Sequence, residues 1–221
     1  MDNKEQMRAY MASARRNILI NIQELNQFVE KGQIDFVGSS LCEYFPINEL
    51  LNGESKRYLV YNRGIAGDTT SQLMENLEEC IFALEPSKIF INIGTNDMNT
   101  SEYDENHLLE NYRKILMQIK IRLPKAKIYV QSYYPVNPDV KTADESLTGK
   151  EIYKTRNNQA IISANQKVQE LAAEQGCEYI DLYPLLLDTA GKLDEKYTVE
   201  GIHLKPKAYQ MILKKLLPYL E

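Results

Sequence analysis

Cysteine is scarce in this chain of 221 residues, and its placement does not suggest cross-links. The three cysteines, Cys42, Cys80 and Cys177, are odd in number and far apart. Such spacing argues against a disulfide framework or a thiolate metal site and favours a reducing compartment. A domain of this length buries roughly 70% of the surface that its unfolded chain exposes, so we expect it to fold without disulfides or a metal.

Long hydrophobic runs and blocks of one charge are also missing. No apolar run approaches the ~20 residues of a membrane span. The opening segment, MDNKEQMRAYM, lacks the apolar core of a signal peptide. The net charge is −5 with Lys and Arg spread along the chain, so nucleic acid is not an expected partner. We therefore expect a cytoplasmic protein without a membrane span.

Cofactor motifs are absent and histidine is rare. The sequence has neither a Gly-x-Gly-x-x-Gly motif nor a Walker loop, so we predict no nucleotide cofactor, and no metal either. Of the two histidines, His107 lies in a polar helical stretch and is interpreted as a solvated surface residue. His203 lies in a glycine-containing turn three residues after Glu200, an arrangement that suits a general base held by a carboxylate.

The first 31 residues have the pattern of a helix that ends at Lys31-Gly32. Four apolar residues form one stripe along it. They are Ile18, Ile22, Leu25 and Val29. The stripe either covers the domain or faces a second copy of the chain in a homodimer, and the sequence does not decide between these. We divide the chain into this N-terminal helix, 1–32, and a main domain, 33–221.

Five short apolar runs follow, separated by helical patterns. None alternates cleanly, which is typical of strands covered on both faces of a parallel sheet. The runs are Ile34–Val37, Tyr58–Tyr61, Ile89–Ile93, Ile128–Val130 and Tyr179–Asp181. This alternation predicts an α/β fold with three α/β/α layers around a doubly wound, flavodoxin-like parallel sheet of five strands.

The helical segments between these runs carry their own signals. In the first, Leu73, Leu77, Ile81 and Leu84 repeat at helical spacing, and Thr69 with Gln72 forms a candidate capping box. Further helices are predicted at about 105–123, at about 157–175 and from 206 to the last residue. The polar connection 135–154 is unusually long, and both a lid or binding loop and a plain surface insertion fit it.

Small and polar residues follow the first three apolar runs. The segments are Gly38-Ser39-Ser40-Leu41, Asn62-Arg63-Gly64-Ile65-Ala66-Gly67-Asp68 and Gly94-Thr95-Asn96-Asp97. Ligands of an open α/β sheet bind beyond the carboxyl ends of its strands, so these three segments are the expected site. Each is explained singly by turn and capping chemistry, but their coincidence is not.

Together with Glu200-Gly201-Ile202-His203, these segments resemble the SGNH hydrolases, also called GDSL-type lipases and acylhydrolases, and especially bacterial members similar to platelet-activating-factor acetylhydrolase. The Gly-Asp-Ser-Leu block of the family reads 38–41 here, with Ser39 in place of its Asp. The Gly-x-Asn-Asp block is intact at 94–97. The Asp-x-x-His block reads 200–203, with Glu200 in place of its Asp.

The resemblance implies a serine esterase without a cofactor that acts on a small ester. Ser40 would be the nucleophile, His203 its base and Glu200 the acid. The oxyanion hole would consist of the backbone N–H groups of Ser40 and Gly64 and the side-chain amide of Asn96. Three further residues are predicted to contact the substrate. They are Ser39, Thr95 and Tyr134.

The acyl group is expected to be short, because no long apolar lid helix is evident. The alternative is a binding module of flavodoxin-like architecture that holds a phosphate or a carbohydrate without turnover.

Overall fold

The computed structural model describes residues 3–140 and 152–221, and these form a three-layer α/β/α domain. Its sheet has five parallel strands in the order β2-β1-β3-β4-β5. The strands are β1 (Ile34–Gly38), β2 (Val60–Gly64), β3 (Lys88–Asn92), β4 (Lys127–Gln131) and β5 (Glu178–Ile180). The predicted fold class is confirmed.

Helices cover both faces of the sheet. They are α1 (Asn3–Leu25), α2 (Ser40–Glu43), α3 (Ile47–Leu51), α4 (Thr70–Glu75), α5 (Leu77–Cys80), α6 (Glu105–Arg122), α7 (Ile152–Thr155), α8 (Asn158–Glu174) and α9 (Pro206–Leu220). One core cluster combines sheet residues with α1, α4, α5, α6 and α8, and the other combines them with α2, α3 and α9. The two apolar faces of each strand explain why the apolar runs in the sequence do not alternate.

Three aromatic rings stack across the central strands in the second core cluster. Phe36, Phe90 and Tyr129 occupy matching positions on β1, β3 and β4. The first two rings are 4.5 Å apart and nearly parallel, and the second pair is 4.6 Å apart. The flanking strands place Asn62 and Glu178 at the corresponding positions, so the stack is confined to the middle of the sheet.

The predicted helix after Thr69 begins as expected but is interrupted. Both bonds of the capping box with Gln72 are present. The Asn76 side chain then bonds to the Gln72 carbonyl, and its backbone leaves helical geometry. Side-chain bonding of this kind competes with helical hydrogen bonds. The residues from 70 to 84 therefore form two short α-helices and a 3₁₀ turn, Phe82–Leu84.

The N-terminal helix α1 packs on its own domain. Ile22 is buried in the first core cluster, and Ile18 packs against it. Leu25, from the same predicted stripe, is 55% exposed. The stripe therefore covers the domain over part of its length, while the proposed boundary at residue 32 stays a prediction.

The long connection predicted at 135–154 begins with a buried segment. The backbone of Val136 exchanges two hydrogen bonds with the side chain of Asn158, and the N–H of Asn137 donates to the Gly201 carbonyl. The connection ends in α7, and its part from 141 to 151 lies outside the described residues. In the described parts of the chain, no helix is long and apolar enough to span a membrane.

Candidate active site

The carboxyl ends of β1, β2 and β3 bring the three predicted segments to one edge of the sheet. Gly38 is in register with Gly64 on one side and with Asn92 on the other. A Cβ atom on Gly38 would lie 2.1 Å from the Asn92 carbonyl oxygen, so only glycine fits between these strands. The segments that follow leave the sheet side by side, as the sequence predicts.

Ser40 begins α2 directly after this junction and lies beside His203. Its Oγ is 3.0 Å from His203 Nε2, although 163 positions separate the two residues. Ser40 is 8% exposed, and the His203 side chain is 35% exposed. No acceptor for the Ser40 N–H is found in the described chain, in keeping with its place in the first turn of a helix.

His203 lies on a tight loop, residues 198–204, which we call the histidine loop. Thr198 Oγ1 donates to the His203 carbonyl at 2.8 Å and accepts from the Gly201 N–H at 2.9 Å. Gly201 has a φ of +95°, and a Cβ there would lie 2.1 Å from the Asn137 carbonyl oxygen. The loop is therefore fixed both by its own hydrogen bonds and by close backbone packing.

Glu200 holds the imidazole through a single carboxylate oxygen. Its Oε1 accepts from His203 Nδ1 at 2.5 Å and from the His203 backbone N–H at 2.9 Å. Burial raises the pKa of the Glu200 carboxyl, but the hydrogen bonds from His203 outweigh burial and hold this pKa below its ordinary value. A carboxylate bonded in this way fixes the ring orientation and leaves Nε2 facing Ser40.

We call the turn after β2, residues 65–68, the glycine turn. At this turn, the N–H group that is free to donate is not that of Gly64, contrary to the sequence prediction. The Gly64 N–H already donates to Asn62 Oδ1 at 2.9 Å. A Cβ on Gly64 would lie 2.3 Å from the Glu43 backbone nitrogen, so this glycine allows α2 to approach the strand. The structure does not support Gly64 as an oxyanion donor.

Gly67, within the glycine turn, has a backbone N–H that is free to bind a ligand, unlike that of Gly64. Over residues 3–140 and 152–221, no acceptor lies within bonding distance of this N–H. Gly67 has a φ of +84°, which favours glycine, and no atom lies within 4 Å of a Cβ built there. The run Gly67-Asp68-Thr69 after a strand is the sequence signal that would have pointed to it.

Asn96 lies next to the glycine turn, as its predicted role requires. One hydrogen of its side-chain amide bonds to the Asp68 carbonyl at 3.0 Å, and its Oδ1 accepts from Asn99 at 3.0 Å. An amide carries two N–H donors, so the second stays available to a ligand.

Asp97, next to Asn96, has a structural role. Its carboxylate accepts from the Thr70 backbone N–H and hydroxyl and thereby holds the start of α4. Burial raises the pKa of Asp97 above its ordinary value, and the bonds from Thr70 partly oppose this.

The three residues predicted to contact substrate are buried. Ser39 and Thr95 are each 1% exposed, and Tyr134 is 3% exposed and belongs to the second core cluster. The structure therefore does not support substrate contact for them. The register of the Gly-x-Ser-Leu block selected Ser40 as the nucleophile, but the sequence did not show that the neighbouring Ser39 side chain would be buried without a hydrogen-bond partner.

Neither His107 nor Cys42 bonds to the Ser40–His203 pair. His107 is exposed, as predicted, and bonds to Asn111. Cys42 is buried, and this burial raises the pKa of its thiol well above the ordinary value. In the described chain, no three His, Cys, Asp or Glu side chains converge as a metal site would require.

Comparison with known proteins gives consistent results. A protein from Streptococcus pneumoniae described as a platelet activating factor has a structure that is 33% identical, with 98% of this chain and 97% of that chain covered at a TM-score of 0.85. A GDSL-like lipase from Bacteroides thetaiotaomicron is 20% identical over 91% of this chain and 96% of its own, at a TM-score of 0.74.

A curated relative, the N-acylneuraminate cytidylyltransferase of Escherichia coli O18:K1:H7, is 26% identical over 191 residues. The match covers 86% of this chain but 41% of that longer protein. The model of the GDSL-like lipase/acylhydrolase family matches residues 41–211, a range that begins directly after Ser40 and includes Gly67, Asn96, Glu200 and His203. The chain belongs to the GDSL-like lipase/acylhydrolase family.

Proposed function

We propose that this protein is a serine acylhydrolase that cleaves a small acyl ester through an acyl-enzyme on Ser40. One observation carries the proposal. The side chains of Ser40, His203 and Glu200 form a continuous hydrogen-bonded chain, with 3.0 Å between Oγ and Nε2 and 2.5 Å between Nδ1 and Oε1. A nucleophile, a base and an orienting acid in this order are the parts that serine hydrolysis requires.

In the first half of the reaction, Ser40 Oγ attacks the carbonyl carbon of the ester as His203 Nε2 accepts the hydroxyl proton. Glu200 stabilises the imidazolium that forms and keeps Nδ1 protonated. The tetrahedral intermediate then collapses, the carbon–oxygen bond to the alcohol breaks, and His203 donates its proton to the departing alkoxide. The acyl group is left on Ser40.

Negative charge develops on the carbonyl oxygen of the ester during this step. The donors that would stabilise it are the Ser40 N–H, the Gly67 N–H and the second amide hydrogen of Asn96. All three lack a protein acceptor in the described residues and lie in the segments that leave the same sheet edge. Removing one such donor typically costs about 3 kcal/mol of transition-state stabilisation.

In the second half, water replaces the alcohol. His203 Nε2 accepts a proton from water as its oxygen attacks the acyl carbonyl carbon, and then returns the proton to Ser40 Oγ as the carboxylic acid leaves. The same three donors would serve the second tetrahedral intermediate. No cofactor enters either half.

A short acyl group fits the surroundings of the base best. The Tyr44 ring lies 5.3 Å from the His203 ring, centroid to centroid, and Tyr44 is 50% exposed. In the described parts of the chain, no long apolar helix covers Ser40 as a lid for a long acyl chain would. A series of p-nitrophenyl esters of increasing chain length measures this preference, with kcat/KM highest for the shortest members.

Replacing Ser40 by Ala tests the proposal directly. The wild-type protein should hydrolyse p-nitrophenyl acetate and react with a fluorophosphonate probe at Ser40, and the S40A variant should do neither. Ser39→Ala is the matched control, because the buried Ser39 Oγ has no hydrogen-bond partner in the structure and its loss should leave both activities intact.

Two outcomes count against the proposal. Labelling at Ser39 would show that Ser39, and not Ser40, is the nucleophile. A wild-type protein that neither turns over the ester nor reacts with the probe would favour the binding module without turnover.

The homodimer and the cytoplasmic location remain predictions of the sequence. Sedimentation of the purified protein distinguishes a monomer from a dimer.

A further inference from the structure

An ion pair joins the N-terminal helix to the glycine turn. Arg15, on α1, places Nε 2.6 Å from Asp68 Oδ1 and Nη2 3.1 Å from Asp68 Oδ2. The same Nη2 also donates to the Gln72 carbonyl at 3.1 Å. The guanidinium therefore binds the carboxylate with two parallel bonds, a geometry that fixes both partners in orientation as well as distance.

The carboxylate of this pair is buried, unlike those of the other ion pairs in residues 3–140 and 152–221. The Asp68 side chain is 2% exposed and that of Arg15 is 19% exposed. The pair between Lys31 and Glu85, by contrast, has both side chains more than half exposed. Removing one partner of a buried pair is destabilising, because it leaves the other charge without compensation. Without Arg15, we therefore expect the turn that carries the Asp68 carboxylate to be held less firmly.

Three side chains from other elements bond to the glycine turn, and Arg15 is one of them. On one side, the Ala66 N–H donates to the Glu43 carboxylate of α2. On the other side, the Asp68 carbonyl accepts from the Asn96 amide at 3.0 Å. The Asp68 side chain binds Arg15. Gly67 lies between the bonded residues Ala66 and Asp68, and no atom lies within 4 Å of the position that a Cβ would occupy there, so packing does not hold it in place.

We propose that Arg15 is a positioning residue for the oxyanion donors, acting through Asp68 on the Gly67 N–H and on the Asn96 amide. The inference rests on the proposed esterase function. Arg15 lies outside the segment 41–211 that the family model matches, so α1 contributes to the active site of this chain from beyond that segment. The role is one of geometry, since Arg15 bonds to Asp68 and Gln72 and not to the catalytic side chains.

A donor that acts on the developing oxyanion affects the transition state more than the bound substrate. Displacing it should therefore lower kcat and leave KM nearly unchanged. A misplacement of about 1 Å, caused from outside the reacting groups, can cost about 100-fold in rate. A purely structural role would instead lower the fraction of folded protein and leave kcat per active site constant.

The experiment compares Arg15→Ala with Arg16→Ala. Arg16 is the exposed neighbour on the same helix, so its substitution removes the same charge and changes helix propensity equally. Active sites are counted by titration with the fluorophosphonate probe, and kcat is expressed per labelled site. We expect R15A to lose about 10- to 100-fold in kcat with KM changed less than about threefold, and R16A to stay within about twofold of wild type.

Arg15→Lys and a readout that does not depend on turnover complete the test. Lysine keeps the charge but not the two-pronged bond, so R15K should lie between wild type and R15A. Amide hydrogen exchange of residues 65–68 should accelerate in R15A and not in R16A.

A value of kcat per labelled site in R15A that equals that of R16A, with unchanged exchange, would overturn the positioning role. A wild-type protein without hydrolysis or labelling would overturn the proposed function first, and the inference with it. Unchanged kcat per site combined with faster exchange would show that Arg15 stabilises the turn without serving catalysis.

Discussion

The histidine loop and the glycine turn both depend on a glycine with positive φ, but they are held in opposite ways. In the histidine loop, a Cβ on Gly201 would meet the Asn137 carbonyl oxygen at 2.1 Å and the Tyr153 hydroxyl at 2.8 Å. In the glycine turn, a Cβ on Gly67 would meet nothing within 4 Å. The base is thus fixed by close packing, whereas the oxyanion donor is fixed by polar bonds from side chains on other elements.

This difference predicts different kinds of sensitivity. The histidine loop should tolerate little change in volume, because any displacement of its closely packed backbone also displaces His203. The glycine turn should tolerate added volume and depend on the charges that hold it.

The largest effect is expected from Glu200→Gln in the histidine loop. The amide group can present a donor to His203 Nδ1, which favours the tautomer with its proton on the wrong nitrogen and removes the charge that stabilises the imidazolium. The corresponding change in another serine hydrolase lowers kcat about 10⁴-fold, and we expect a fall of about 10³- to 10⁴-fold here.

Steady-state hydrolysis of p-nitrophenyl acetate measures this fall in kcat. Glu195→Gln, on an exposed residue five positions earlier, is the control and should be silent. A small effect of E200Q would show that another group orients His203.

A pair of alanine substitutions tests the packing difference itself. Gly67→Ala should cost about 1 kcal/mol of unfolding free energy, from the left-handed backbone alone. Gly201→Ala adds a clash with backbone to the same conformational cost, and we expect about 3 kcal/mol or more. Urea unfolding of the two variants gives both values. Equal losses of unfolding free energy in the two variants would show that the histidine loop accommodates an added methyl group as easily as the glycine turn does, and would contradict the proposed difference in packing.

The smallest effect concerns pH and the Glu200 carboxyl. Its pKa in the folded protein lies below the ordinary value of 4.5, because the bonds from His203 outweigh burial. A lowered pKa means that the ionised form stabilises the fold above about pH 4.5 and that this contribution is lost as the pH falls through the folded pKa.

The difference in unfolding free energy between wild type and E200Q should therefore be constant from pH 6 to 7 and shrink at lower pH. Denaturant titrations at several pH values measure it. A difference that grew with acidity would contradict the assigned direction of the shift.

Local sequence patterns were sufficient for the sheet and for much of the site. The apolar runs located all five strands, and the capping box at Thr69 marked the start of α4. The polar residues at strand ends brought Ser40 and Asn96 to one edge. These features depend on residues close in sequence, where propensity and periodicity act.

The errors arose where distant side chains decide the local structure. The second strand was expected at 58–61 and lies at Val60–Gly64, where it pairs along its whole length with Ile34–Gly38 of β1. Asn62, within this strand, bonds through its side chain to the Cys42 and Phe45 carbonyls. The same Asn62 takes the Gly64 N–H, which removed Gly64 from the expected oxyanion hole. Nothing in the pattern around Gly64 signals that its donor is already occupied.

No feature of the sequence indicated that Arg15 would lie close to the candidate active site. It is one of several charged residues on an amphipathic helix, and 53 positions separate it from Asp68. A buried ion pair between two such distant residues becomes visible only when the fold brings them together.

The stacked rings of the central strands bear on how this sheet reaches its correct pairing. A shift of β3 by one residue relative to both of its neighbours would turn Phe90 to the opposite face of the sheet and separate it from Phe36 and from Tyr129. Only one alignment of the three strands keeps both stacks, so mispaired intermediates lose contacts that the correct one retains. The outer strands carry Asn62 and Glu178 at the matching positions, so this stacking contributes nothing to their own alignment.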